Sequence, residues 1–233
     1  MTANELRFDV TGDVLGLGLR GAYLVMSGLT NRPEDPELER MKAETTEELL
    51  AGLTAERIDA NPVLQGFRRL HDTAQRSNRK NVASPENLLH LLLKNRQLPR
   101  INVLVDAYNL VSVHTQLALG AHDVAKVNGH IHLRMTDGTE GFWPLGSPEA
   151  KPMTAGEYSY VDDGNDVICR LEVRQVEKTK VTPDTTEAFY IIQGNDRTSD
   201  EDIRAAVEQL LSLTKRFCGG QERMLYCPWQ QAG

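Results

Sequence analysis

Apolar and polar positions divide the chain into a mixed set of elements. Residues 6–29 carry short apolar runs, RFDVTGDV and then LRGAYLVMSGL, which predict strands and turns. Asn31 to Pro36 interrupts them with two prolines. Leu38, Met41, Leu49, Leu50 and Leu53 then recur at helical spacing and predict one or two helices over 36–53 with an acidic face. Asn61 and Pro62 open another helix, with Val63, Leu64, Phe67 and Leu70 on one side. Ser84 supplies a capping hydroxyl before Pro85, so PENLLHLLLKNR predicts a helix that ends before Pro99.

Beyond Arg100 the pattern changes. Apolar residues at 104, 105, 110, 111, 113 and 117 suit a buried helix over LVDAYNLVSVHTQL. HIHLRMTDGTEGFW predicts a hairpin turning at Asp137-Gly138. GEYSYV and DVICRLEV form a second hairpin around Asp162 to Asn165, and EAFYIIQG is a further strand. TSDEDIRAAVEQLLSLTKRFCGG is the clearest helix. Thr198 and Glu201 have capping-box spacing, Lys215 and Arg216 lie in the last turn, and Gly219 closes it. Strands mixed with segregated helices indicate an α+β fold.

The 233 residues are enough to bury a proper core. They are read as one domain, with residues 1–64 part of it. The longest nearly apolar run, Leu88 to Leu93, carries His90 and is too short to span a bilayer. The start, MTANELRFDV, has no basic segment leading into an apolar one, so the cytoplasm is the expected compartment. Cys169, Cys218 and Cys227 are expected to be free thiols. The net charge of −7 argues against a broad nucleic-acid-binding surface. That charge is unevenly spread. Residues 34–59 hold nine acids and three bases, whereas 68–100 hold eight bases and two acids. The basic segment is either a solvated helical face or a phosphate-contacting surface.

No phosphate-binding glycine loop, dinucleotide fingerprint, nucleophile elbow or H-E-x-x-H motif is present. His130 and His132 share a strand face, but no third ligand accompanies them, and no metal or other cofactor is expected. No spacing supports a triad of Ser112, His114 and Asp123. The stretch from Asp106 to Asp123 is more informative. Asp106, Asn109 and Ser112 recur every three residues, which aims them to one side of a helix. Buried polar groups need partners. These either bond to backbone and fix the fold, or line a polar pocket.

LPRINVLVDAYNLVSV, LALGAHDVAKVNGHIHLR, GEYSYVDD and VICRLEVRQVEKTKVTPDTTEAFYII together resemble the editing domain of the phenylalanyl-tRNA synthetase β chain, the B3/B4 domain. The chain is most similar to free-standing versions of that domain, over about residues 65–217. The resemblance implies a β-sandwich of unusual topology with helices packed on it. It implies a pocket for the aminoacyl end of a tRNA, and hydrolysis of the ester that joins a wrong amino acid to the terminal adenosine. In that family the protein positions a water rather than supplying a strong base, and positioning alone can lower a barrier by many kcal/mol.

On this resemblance Asp106, Asn109 and Asp123 match the family's own residues, with Asn109 and Asp123 as candidates to position the water. Tyr108, Ser112, His114 and Arg170 join the expected pocket. Gly120 stands where the synthetase domain has a histidine, and Ile191 where it has a glutamate that reads a tyrosine hydroxyl. An apolar Ile191 argues against tyrosine as the substrate side chain. Some free-standing members remove canavanine, an arginine analogue, from tRNA(Arg), and a cationic side chain needs an acid. Asp106, Asp123, Glu172 and Asp196 are candidates, Asp196 first; otherwise Asp196 turns the chain beside Gly194 and Asn195. Arg170 and Arg174 contact the tRNA end or face solvent. Trp143 stacks on a base or packs a hairpin tip. Arg76, Arg79, Lys80, Arg96 and Arg100 are the expected tRNA contacts.

The expected function is a trans-acting deacylase of misacylated tRNA, with canavanyl-tRNA(Arg) first among substrates. The expected partner is therefore misacylated tRNA, with no DNA and no membrane, and the sequence is compatible with a monomer. Loss of the synthetase's histidine and glutamate favours a different reading, a module that binds an aminoacyl-tRNA or amino acid without chemistry. A general RNA- or DNA-binding protein is the third reading. It predicts salt-sensitive binding with no need for an aminoacyl group.

Overall fold

The structure is a computed structural model that describes residues 2–230. Strands β1 (Phe8–Val10), β4 (Ile131–Met135), β5 (Tyr158–Asp162), β6 (Val167–Arg170) and β7 (Arg174–Gln175) form a five-stranded sheet in the order β1-β4-β5-β6-β7. A four-stranded sheet runs β3-β8-β2-β9, from β3 (Ala118–Asp123), β8 (Glu187–Gly194), β2 (Arg20–Ser27) and β9 (Gln221–Tyr226). Every pairing is antiparallel except β1 with β4.

Strands β2 and β8 are near-continuous apolar runs because both of their faces are covered. Side chains alternate across a strand. Phe189 and Ile191 therefore join Tyr23 and Val25 in a core between the sheets, with Leu133, Tyr158 and Tyr160 opposite. Ala188, Tyr190 and Ile192 join Leu24 and Met26 in a second core under the helices. The molecule is thus a sandwich of two sheets with a helical layer on the outer face of the four-stranded one.

That layer contains α2 (Pro36–Leu50), α3 (Ala55–Ala60), α5 (Ser84–Asn95), α6 (Val103–Thr115) and α7 (Asp200–Cys218). Helix α6 is its centre, and every residue from Val103 to Val113 is buried. A helix covered on all sides belongs in a core, and its polar Asp106, Asn109 and Ser112 are buried with the rest. The Asn102 side chain caps it, accepting from Val105 N at 3.1 Å, and Gln116 ends it in the left-handed conformation with φ 58°. Helix α4 (Pro62–Thr73) lies where the two cores meet. Its Leu64 enters the helix-side core, and Phe67 and Leu70 enter the core between the sheets. Among the described residues no helix is long and apolar enough to cross a membrane.

Several local expectations need correction. Residues 130–143 do not form a hairpin, since β4 pairs with β5 instead. Asp137 and Gly138 do turn, but the buried Glu140 folds back on that turn, accepting from both of their backbone N–H groups at 3.0 Å. The capping box of α7 is one residue later, Ser199 with Asp202, because the Thr198 hydroxyl donates to Asn195 O at 2.7 Å. Ala83 rather than Ser84 precedes α5, without a side-chain cap. A short helix α1 (Gly12–Gly16) sits within the segment read as strands and turns. DVICRLEV breaks after Arg170, where Leu171 turns the chain with φ 52°. Neither α3 nor β9 has a counterpart in the pattern of the sequence.

Candidate functional site

A cavity of about 210 Å³ opens at the edge of the sandwich, where β3 and β8 meet the turn joining β6 to β7. Helix α6 contributes Tyr108 and Asn109, and the sheets contribute Gly120, Cys169 and Ile191. The turn and β7 add Glu172, Arg174 and Gln175. A Cβ at Gly120 would lie 2.8 Å from Gln175 Nε2, so a side chain there would displace the end of the flexible Gln175. Gln175 in turn hydrogen-bonds the Tyr108 hydroxyl, a phenol that burial keeps protonated.

Three polar side chains of the lining differ in how far they are engaged. Asn109 is 8 % exposed, and its amide makes no hydrogen bond among the described residues. Arg174 is exposed at the rim, and its side chain also lacks a partner among them. Glu172, by contrast, is tightly held. It accepts from His71 Nε2 at 2.5 Å, from Gln193 Nε2 at 3.2 Å and from the Tyr158 hydroxyl. Burial opposes charge on both His71 and Glu172. Their mutual attraction outweighs it, holding His71 above the usual histidine range and Glu172 below the usual carboxylate range. Burial pushes the Cys169 thiol far up, so no thiolate is offered to the cavity.

A family model described as the B3/4 domain matches residues 73–219. The chain belongs to the B3/4 domain family. No curated protein matches it. Among solved structures it is similar to an N-terminal fragment of the phenylalanyl-tRNA synthetase β-subunit from Pyrococcus horikoshii, with a TM-score of 0.51 and 14 % identity. The match covers 96 % of this chain and 52 % of that fragment, so the chain spans about half of it. At that identity the likeness is one of fold.

In this B3/4 chain the cavity takes in Tyr108, Asn109, Gly120, Glu172, Arg174 and Ile191 from the residues singled out in the sequence. The others are engaged elsewhere. Asp106 pairs with Lys42 at 2.8 Å and accepts from Ile101 N at 3.0 Å. Ser112 donates to Leu117 O at 2.7 Å, and His114 meets Gln209 at 3.0 Å on the outer face of the helical layer. Asp123 accepts from Thr185 Oγ1 at 2.9 Å and Ala125 N at 3.0 Å. Asp106, Asn109 and Ser112 therefore do not share a side, contrary to the spacing argument, and Ser112, His114 and Asp123 make no bond to one another. Arg170 pairs with the buried Glu157 at 2.8 Å. Asp196 is half exposed and pairs with Arg69 at 3.1 Å, so the acid that lines the cavity is Glu172 rather than Asp196.

Half of the basic segment's eight cations are neutralised by the B3/4 domain's own acids, with Arg69 held by Asp196. Arg68 pairs with Glu86 and Asp59, Arg76 with Glu157, and Arg100 with Glu34 and Glu39. Arg79, Lys80, Lys94 and Arg96 are exposed and make no ion pair among the described residues. His132 lies between Asp9 at 2.6 Å and Asp163 at 2.8 Å, and His130 accepts from Arg7 N. No cluster of metal-ligating side chains occurs among the described residues.

Sequence reasoning missed His71 and Gln175. The signal for His71 was present: it falls four residues after Phe67 and seven after Leu64, on the apolar stripe of α4. Gln175 carried no such mark, because it reaches the cavity only through the turn after β6.

Proposed function

We propose that the chain hydrolyses the ester of a misacylated tRNA in trans, with the aminoacyl group in the cavity between the sheets. The observation that carries this reading is the Asn109 amide, which lines the cavity and makes no hydrogen bond among the described residues. An amide that spends neither its donors nor its acceptor inside the protein keeps both for a water or ligand in the cavity. Asn109 would orient the attacking water. An aminoacyl ester is already activated, so positioning suffices where no free base stands by. Ile191 gives an apolar wall, and Glu172 is the acid available to a cationic side chain. Canavanine carried by tRNA(Arg) is the substrate this lining suits best. At the rim, Arg174 is available to the terminal phosphates. The half-exposed Trp143, two residues from the cavity-lining Leu145, is available to stack on the terminal base.

A second reading has its own support. The acid in the cavity already accepts from three donors, which suits a module that holds an aminoacyl group without cleaving it.

The test is ester loss from canavanyl-tRNA(Arg), arginyl-tRNA(Arg), tyrosyl-tRNA(Phe) and phenylalanyl-tRNA(Phe) incubated with the purified protein. Canavanine is expected to be released selectively. Asn109→Ala is expected to slow release about 100-fold, the scale of a misplaced reactant. Survival of every ester at the background rate, with charged tRNA still bound, would establish the binding module. Failure to bind any charged tRNA would overturn both readings.

A further inference from the structure

His71 reaches the cavity only through Glu172, yet its surroundings specify its state. Its Nδ1 faces Asn78 Oδ1 at 3.2 Å, and Asn78 is oriented by its own Nδ2, which donates to Asp72 at 2.7 Å. Its Nε2 faces Glu172 Oε1. Both ring nitrogens thus face acceptors, and only an imidazolium donates from both. The ring also sits in the last turn of α4, where the helix dipole favours a cation. Glu172 receives three donors, an arrangement that favours its ionised form.

We propose that His71 is a positioning residue of the cavity: as an imidazolium it keeps Glu172 ionised and fixed, so that the carboxylate is presented to a cation of the incoming aminoacyl group. This rests on the aminoacyl-ester reading above. A carboxylate has about four lone-pair positions, and three are taken, which leaves one for a substrate donor. An aminoacyl ester brings an α-ammonium whatever its side chain, and a canavanine ester brings a second cation; the shared chemistry is an N–H donor bearing positive charge. Without the imidazolium, burial would push Glu172 toward its neutral acid, which cannot hold a cation.

The groups that bear on this balance come from several elements. Glu172 faces His71 from the β6–β7 turn, and Asp72 acts through Asn78. Tyr158, Cys169 and Gln193 face Glu172 from β5, β6 and β8. The nearby guanidiniums of Arg76 and Arg170 are tied to Glu157.

The first experiment needs no substrate. In wild-type protein labelled with ¹⁵N-histidine, the His71 ring signals are assigned by their loss in His71→Gln. Protonation of both nitrogens at a pH above 6.5, the ordinary value for this side chain, is expected. A neutral ring there overturns the proposal, whether or not any ester is cleaved. The second experiment follows kcat/KM against pH for the ester released in the panel. His71→Gln keeps a donor but no charge. Its acidic limb is expected to move up by about one pH unit or more, with activity recovered on the alkaline side. A uniform loss at every pH, or an unmoved limb, overturns the proposal. N-acetylation of the substrate then identifies the cation. Loss of the His71 dependence assigns it to the α-ammonium, and persistence assigns it to the side chain. The same limb shift with an ester that carries neither cation overturns the proposal.

Discussion

His122 lies two residues beyond Gly120 on the same face of β3, within the core between the sheets. Its Nδ1 meets Thr179 Oγ1 at 2.9 Å, and its Nε2 is fully buried without a partner. Burial pushes its pKa down to about 3 from an ordinary 6.5. Below pH 6.5 the unfolded chain therefore binds a proton that the native state refuses, and this ring's contribution to stability falls as pH falls. In urea melts at pH 7, 5.5 and 4.5, wild type is expected to lose stability relative to His122→Leu by about 1.4 kcal/mol per pH unit below the ordinary histidine value. A difference independent of pH would show that the ring titrates as it does in the unfolded chain. At this scale the candidate site was half legible. Tyr108, Asn109, Gly120, Glu172, Arg174 and Ile191, all singled out in the sequence, line the cavity, and the resemblance had placed Asn109, Gly120 and Ile191 one by one. Asp106 and Ser112 were misread because a three-residue step on a helix rotates by about 60° from a full turn. Two such steps separate Asp106 from Ser112 by about 120°, so the first meets α2 and the second meets the start of β3.

Helix α6 is held to α2 by Lys42 and Asp106, whose side chains are 5 % and 1 % exposed. Lys42 also donates to Glu39 at 2.8 Å and to Pro99 O at 3.0 Å, so its charge is fully coordinated. Burial raises the Asp106 carboxyl despite that partner, which shows how little water reaches the pair. Removing one member leaves an uncompensated charge. Lys42→Met is expected to destabilise the fold by about 3–5 kcal/mol, and adding Asp106→Leu to recover much of the loss. Chemical denaturation of both variants decides this, and a double variant no more stable than the single would refute it. Elements such as β2, β8, α6 and α7 were legible because burial imposes a strong pattern on them. Strand β9 was not, since it is an edge strand whose described residues are exposed or half-buried, and QERMLY shows no apolar alternation. The hairpin at Asp137-Gly138 failed because a correct turn signal does not say which strand follows it. Glu140 seals the turn, and Gly141 bridges to Asp166 instead.

Across the whole molecule, the basic segment looked like one surface in the sequence, yet half of its charges are spent on the domain's own acids. Arg79, Lys80, Lys94 and Arg96 from that segment, and Arg174 from β7, are left without an acid partner among the described residues. Arg79→Ala with Lys80→Ala is expected to lower the slope of log affinity for charged tRNA against log salt by about one for each phosphate no longer neutralised. Filter binding between low and physiological salt measures it, and an unchanged slope would exclude both residues from the tRNA interface. The sheet order holds a different consequence. Strand β2, at residues 20–27, lies between β8 at 187–194 and β9 at 221–226. During synthesis at about 5–20 residues per second, β2 emerges about 10–40 seconds before β9 exists. Until β8 is made, both edges of this apolar strand are open, and from then until β9 one edge is, so the nascent protein is expected to depend on a chaperone far more than its finished form does.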